Sequence, residues 1–536
     1  MHFLKDSTKF STLSLVLLVG ILINVPYANF QNFLSQGDHG LNLYAFQAVY
    51  KGDFPYKDFY WQYGPLMPYY YCLFFKFFGV QLSSVILGKL ILKVLAGLLV
   101  CLAMMEVSSE AIACLCACWF MLFAQDFFYN YNHIGGLVMV LGAVFCLLSY
   151  IRNNSLKAAW GALGFILTLC LIKINFGLAA LAVCLITVKV NDSVRHLPSI
   201  TNKKIFYASA FIGLPLILFI IYGSLLKGLS FTEILQCLPY MPGYDPSHTD
   251  PLAAIMNFLI TTIHTATSTW ENFIFAVLIN ASAFRCLYLF QANKLEASRK
   301  ITFLLSLSML CLFYVVNCHE YLKSGVWYRI FWAQPLSIML TFLLIDIASQ
   351  SIPKIGRAIV ISVITFLVIY SGLLINFELI TEKASSPYLY LPRAGIYIAN
   401  SPSWTLTVEE TTEFLNKTLK PNELFLAIPY DCLYYFLTDK KSPTRQLVFF
   451  DYLKIPNAQE KSIIAELEKN HVNYILLSNR AYAKEDGLGF LGKSYCPLIG
   501  KYIKDNFVPL VRFGDWKNDP GWAWNHGTLI LKRKGT

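Results

Sequence analysis

"GDHGLNLYAFQAVYKGDFPYKDFYWQYGPL" (Gly37–Leu66) is the stretch on which the reading of this chain turns. It carries Asp38, Asp53 and Asp58, a histidine at 39 and a crowd of aromatic rings. It follows directly on the apolar stretch "STLSLVLLVGILINVPYA" (11–28), and its last residues, "YGPL", lead into the next apolar stretch. Acids and rings set between two apolar stretches describe a loop held at the face of a membrane, where aromatic side chains gather.

Working outward, the whole chain supports that setting. It has 536 residues, 56% hydrophobic and only 14% charged, with mean hydropathy +0.52. A soluble globular chain is nearer one quarter charged. Apolar stretches of roughly the 20 residues that cross a bilayer recur at 11–28, 65–80, 84–105, 109–125, 133–151, 157–172, 174–190, 205–226, 271–290, 301–317, 330–349 and 357–377. The expected fold class is mainly α, a polytopic membrane protein with 11 to 13 transmembrane helices. The first stretch follows Lys5 and Lys9 and has the make-up of a signal peptide; the many spans behind it favour an uncleaved helix.

The net charge of +11 is a topology signal. Basic residues cluster in "RNNSLK" (152–157), "VKVNDSVRHLPSITNKK" (188–204), "NKLEASRK" (293–300) and "PKIGR" (353–357). The positive-inside rule puts these loops and the N-terminus in the cytoplasm. Residues 29–64, 228–270, 318–329 and everything after about 378 then lie outside. Parity fails once, because three spans between 65 and 125 put 126–132 inside while "RNNSLK" needs it outside. One stretch in that region is therefore a partial or merged span. No basic stripe with interleaved rings marks a soluble surface, so nucleic acid is not an expected partner.

The chain divides into a membrane part, 1–378, and an extracytoplasmic part, 379–536, joined by "KASSPYLYLPRAGIYIANSPSW" (383–404). In the second part "VEETTEFLNKTL" and "EKSIIAELEKNH" have helical patterns, and "ELFLAIP", "VNYILLS" and "GTLILKRK" have strand patterns. That mixture predicts a small α/β domain. Most of the 14 cysteines stand in apolar helices as small hydrophobes. Cys114, Cys116 and Cys118 alternate around a helix, which is poor geometry for a metal. Cys432 and Cys496 are candidates for a disulfide in an oxidising compartment.

A carboxylate at a membrane face, among rings and beside an apolar wall, is a functional-site candidate. The order of elements adds to this. Asp38 stands shortly after the first span, "GDFPYKDF" with Asp58 follows, and then the aromatic "YGPLMPYYY". This order resembles the first outer loop of the GT-C glycosyltransferases, in the branch that uses dolichyl- or polyprenyl-phosphate sugars. The specific likeness covers about 35 residues. It departs from the family at His39, where an acid usually stands. The resemblance implies an inverting transfer from a polyprenyl-phosphate sugar to a lipid, glycan or protein acceptor, with Asp38 as general base and Asp58 positioning the acceptor or the base. A divalent metal ion is a candidate cofactor by the same resemblance; the departure at His39 counts against the family's manner of holding it, and His39 is a candidate for binding the substrate or the metal.

The leaving phosphate needs positive charge aimed at it. "NCHEYLKSGVWYRIFWAQP" (317–335) offers His319, Lys323 and Arg329, and related enzymes carry a similar stretch. Asp126 and His133 in "QDFFYNYNHIGG", and Lys173 in "LIKINFG", are further candidates for the same cavity; His248 and Asp250 are weaker ones for the acceptor. An ammonium between two apolar helices is expensive unless paired or wet. No phosphate loop of the form G-x-x-x-x-G-K-[ST] occurs, which suits a lipid-linked donor. Two other readings stay open: a transporter or flippase of lipid-linked glycans, and a non-catalytic assembly protein. The expected location is the inner (plasma) membrane.

Overall fold

The structure is a computed structural model. It describes residues 7–30, 32–123, 131–197, 201–237, 256, 270–291, 296–324, 327–383, 387–450, 453–482 and 489–535. The chain opens with eight helices: α1 (Ser7–Phe30), α2 (Asp38–Tyr50), α3 (Leu66–Phe78), α4 (Leu82–Met105), α5 (Glu110–Phe123), α6 (Tyr131–Asn153), α7 (Leu156–Cys170) and α8 (Ile174–Val194). Among the described residues, seven helices are long and apolar enough to cross a membrane, and four shorter apolar ones, among them Leu156–Cys170 and Gln334–Gln350, stand with them. Together they make eleven, the lower end of the expected range. Large apolar side chains point away from the protein, as at Phe219 (75% exposed) and Phe284 (72%), a face that only a bilayer covers. This is a multi-pass membrane protein.

The expected span at 65–80 is not one. α3 has 13 residues, about as many as α5 with 14, so what sets it apart is where its two ends lie. It is stopped by Gly79, at φ 86°, a left-handed backbone that glycine adopts without strain. Both its flanks meet the same end of the bundle. Gly64 N–H donates to Ile172 O at 2.8 Å and Leu66 N–H to Leu171 O at 3.0 Å, while beyond α3 Leu82 N–H donates to Arg393 O at 2.8 Å. With α3 withdrawn, the alternation of ends becomes regular. Arg152 meets Glu106 at 3.5 Å, and Arg195 Nη2 donates to Ile151 O at 3.0 Å and to Thr302 Oγ1 at 2.8 Å. Arg285 Nη2 donates to Ser351 O at 3.0 Å. These contacts gather the basic loops at the end opposite to Asp38.

The last membrane helix runs through Lys354–Lys383. Beyond it, β1 (Tyr388–Leu389) and β2 (Ile396–Tyr397) form a short antiparallel pair. β3 (Phe425–Ile428), β4 (Tyr474–Ser478), β5 (Phe507–Gly514) and β6 (Gly527–Arg533) form one sheet in the order β3-β4-β6-β5. β3 and β4 are parallel, and the other pairs are antiparallel. The helix Asn457–Lys469 makes the crossover between β3 and β4, the connection a parallel pair requires. β3 and β4 are buried along their whole length, because helices cover one face and the bundle end the other. The core is continuous from the membrane helices into this layer, with Tyr44, Tyr71 and Trp332 in the same apolar cluster as Trp404, Phe425 and Cys432.

The expected disulfide does not form. All cysteines are free. Cys432 belongs to the cluster facing the bundle and Cys496 to a second cluster. Cys432 Sγ–H donates to Leu447 O at 3.6 Å.

Candidate active site

The segment between α1 and α2 is held by the C-terminal part. Ala399 N–H donates to Asn32 O at 2.8 Å, and Leu34 N–H donates to Asn400 Oδ1 at 3.1 Å. Gln36 Oε1 accepts the Trp404 indole N–H at 3.0 Å. Gly40 packs so closely on Leu433 that a Cβ there would lie 2.5 Å from its backbone nitrogen. α2 is thus pressed along its first turn against residues almost 400 positions away. Asp38 heads that helix, where the positive end of the helix dipole favours an anion. Its Oδ1 accepts the Tyr430 hydroxyl at 2.5 Å, and its carbonyl accepts Asn42 Nδ2 at 2.6 Å.

His39 is turned inward and is fully buried. Its Nδ1 accepts the Ser35 N–H at 3.1 Å, and its ring lies 5.7 Å from Phe33 and 5.0 Å from Tyr131. These contacts shape the loop. Asp58 closes a tight turn, its Oδ2 accepting Phe54 N–H at 2.8 Å while its own N–H donates to Phe54 O at 3.0 Å. The hydrogen bonds described for Asp58 are local to that turn, and neighbouring Asp53 pairs with Lys441 at 2.8 Å.

A second cluster forms where α6, α8 and the 319–332 segment converge. Lys173, at the N-terminus of α8, pairs with Glu320 at 2.6 Å and donates to His133 Nε2 at 3.2 Å. His319 Nδ1–H donates to Val316 O at 2.7 Å. That fixes its tautomer, so Nε2 accepts from Asn175 Nδ2 at 2.8 Å. Asn175 Nδ2 also donates to Glu320 Oε1 at 3.2 Å. Arg329 lies on the one-turn helix Trp327–Trp332, close enough to act electrostatically on Lys173, His133 and Glu320. Asp38 also acts on Lys173 in this way, so carboxylate and cations belong to one field. Of the residues singled out in sequence, His133, Lys173 and His319 therefore gather around Glu320 and Asn175, with Arg329 in electrostatic range. Lys323 lies on the helix His319–Ser324, but its side chain is outside the described residues, as are Asp126, His248 and Asp250.

Rings enclose the ammonium. Lys173 Nζ is 5.1 Å from the Phe176 ring and 5.5 Å from that of Trp332, which stack on each other at 4.0 Å. Lys173 also lines a mainly apolar cavity of about 320 Å³, together with Tyr56, Tyr63, Leu178, Leu218, Phe219 and Tyr222 among others. Leu178 and Phe219 lie on the lipid-facing surface, so the cavity leads from a charged head toward hydrocarbon. Such a shape suits a long apolar chain with an anionic end.

Glu320 and Asn175 complete the cluster and are not among the residues expected from sequence. Glu320 carries a weak signal, an acid beside three cations in a short loop. Tyr430 carries none, because 392 residues separate it from Asp38. Among the described residues, no three His, Cys, Asp or Glu side chains come together to hold a metal ion. His39 faces its own loop and Asp38 faces Tyr430, so the donors present do not suit the divalent ion that the resemblance implies.

No family model matches the chain, and no curated protein does. Solved structures do. The chain is similar to ArnT from Cupriavidus metallidurans bound to undecaprenyl phosphate, at 11% identity and TM-score 0.57, and to the same protein in the apo state, at 12% and 0.56. Each alignment covers 97% of both chains. At such identity the likeness speaks for the fold alone: the chain shares the fold of ArnT over nearly its whole length.

Proposed function

We propose that this chain, built on the GT-C fold, is an inverting glycosyltransferase that moves a sugar from a polyprenyl-phosphate donor to an acceptor hydroxyl. The observation that carries the reading is that Asp38 lies within electrostatic reach of Lys173, whose side chain lines a mainly apolar cavity. The polyprenyl chain lies along Leu178, Leu218 and Phe219, and its phosphate meets Lys173 and Arg329. Arginine grips phosphate with a planar fork and lysine as a point charge. Glu320 holds the ammonium in place, Asn175 donates to Glu320, and His319 orients Asn175.

The acceptor hydroxyl approaches from the Asp38 side. Its oxygen forms the bond to the anomeric carbon as the bond from that carbon to the phosphate oxygen breaks, on the opposite face. Asp38 takes the hydroxyl proton, and the electron pair of the broken bond stays on the phosphate, whose growing charge the two cations stabilise. Attack opposite to departure inverts the anomeric centre. Asp58 acts indirectly, by fixing the turn that carries Tyr56 toward the cavity. The acceptor is a lipid, glycan or protein with a free hydroxyl. The protein sits in the plasma (inner) membrane with its N-terminus in the cytoplasm. Residues 1–378 carry the chemistry, and 379–536 form an extracytoplasmic domain on the acceptor side.

The test compares wild type and Asp38→Asn in membranes supplied with radiolabelled polyprenyl-phosphate sugars, at matched amounts of folded protein. Transfer of label by the wild type, and a loss of about 10²–10⁴-fold in the variant, is the expected result. Equal transfer by both removes Asp38 as the base. Movement of intact donor across the bilayer without transfer supports the flippase reading instead.

A further inference from the structure

Tyr430 belongs to neither of the sequence stretches that build the site. It follows β3 and precedes the short helix Leu433–Leu437. It is 5% exposed, and its ring stands edge-on to Phe450 at 5.4 Å and to Trp522 at 6.0 Å. Trp522 in turn covers the residue before Asp38: a Cβ on Gly37 would lie 2.4 Å from its indole. The Arg480 guanidinium lies 3.4 Å from the Trp522 ring centroid. The phenol is thus seated between two rings, and its hydroxyl reaches Asp38 Oδ1 at 2.5 Å. A hydroxyl and a carboxylate at that distance make a strong, charge-assisted hydrogen bond.

We propose that Tyr430 is a positioning residue for the transfer, by which the C-terminal α/β layer sets the direction and basicity of the Asp38 carboxylate. The proposal rests on the reading of Asp38 as the base. With Oδ1 engaged by the phenol, the acceptor proton goes to Oδ2, which fixes the side from which the hydroxyl attacks. A donor to a carboxylate favours its ionised form, so Asp38 stays ready to accept a proton to lower pH than it would alone. The cations of the donor side act at longer range and do not fix its orientation. The α/β layer is then part of the active site, although it need not touch the transferred sugar.

The experiment uses the full-length chain in membranes and measures kcat, the KM for the donor and the pH profile of transfer for wild type, Tyr430→Phe and Asp38→Asn. Tyr430→Phe keeps the ring and its packing. Its kcat is expected to fall about 10- to 100-fold, the value of a hydrogen bond to a charged group, with the donor KM within about threefold of wild type. The acidic limb of its profile is expected to move up by about one pH unit. A purely structural role would lower the amount of active protein and leave the limb where it is. If Tyr430→Phe does not fold, 3-fluorotyrosine at 430 serves instead. It keeps the hydroxyl and makes it a stronger donor, so the limb should move to lower pH. A wild-type kcat and profile in Tyr430→Phe, or an unmoved limb with 3-fluorotyrosine, overturns the proposal while leaving Asp38 as base. Full activity in Asp38→Asn overturns both.

Discussion

Lys173 is held by Glu320, and each makes the other tolerable. The pair is 2.6 Å apart, with side chains 6% and 17% exposed. Removing one partner strands the other in a dry setting, which costs more than the pair itself contributes. The same logic runs in reverse at Asp431, in the α/β layer next to Tyr430. It is fully buried, and its Oδ2 accepts the Ser478 hydroxyl at 2.7 Å. Its Oδ1 has no hydrogen-bond partner. Burial raises its pKa from 3.8 to about 7, against the smaller opposing pull of Ser478, the Tyr430 N–H and Arg480. A carboxyl whose folded pKa is raised holds its proton more tightly in the folded state. Stability is therefore greatest below about pH 4 and falls as pH rises toward 7, by up to about 4 kcal/mol from this group. Asp431→Asn can still accept from Ser478 and has no charge to lose. The melting temperature of wild type relative to the variant should fall between pH 5 and pH 8, with the variant the more stable at pH 8. Parallel melting curves across that range would show that Asp431 is ionised in the fold at no cost.

At the scale of elements, α3 is where composition misleads. "LMPYYYCLFFKFF" is as apolar as a span, and a hydropathy window does not distinguish a helix crossing a bilayer from one lying against it. The signals that do are Gly79, which ends the helix, and the parity of the basic loops. The parity was legible in sequence, and so was its failure between 65 and 125. Which stretch was at fault was not, because the answer lies in hydrogen bonds from Gly64 and Leu66 to the α7–α8 turn and from Leu82 to Arg393. If α3 stays on one side, Lys57→Cys, Gln81→Cys and Lys501→Cys are all labelled by an impermeant maleimide from one face of sealed vesicles. Lys157→Cys and Lys354→Cys are labelled only from the other. Labelling of 57 and 81 from opposite faces would restore α3 as a span. The α/β layer was more readable. "ELFLAIP" and "VNYILLS" are short apolar runs that became the buried strands β3 and β4, whereas β5 is mostly exposed along Phe507–Gly514 and carries Pro509, a residue that reads against a strand.

At the scale of the whole molecule, the candidate site draws on two halves that come from distant parts of the chain. Asp38 and Lys173 were each visible in sequence as ionisable groups at a membrane face. That Asp38 lies in the electrostatic field of Lys173 was not, because it depends on how α2, α6, α8 and the 319–332 segment pack. The role of the C-terminal part was hidden for the same reason: Tyr430, Trp522 and Trp404 read as core aromatics until they are seen to grip the residues around Asp38. The central claim is that base and cations serve one substrate from opposite sides of its anomeric carbon. The most direct test is the affinity of the purified protein for a polyprenyl phosphate without sugar, measured for wild type, Asp38→Asn and Arg329→Gln. The phosphate half should be independent of the base. Asp38→Asn is predicted to bind within about threefold of wild type, and Arg329→Gln at least about tenfold more weakly, as expected for the loss of one charge-assisted contact. Unchanged binding in Arg329→Gln, or a loss in Asp38→Asn as large as that in Arg329→Gln, would contradict the account.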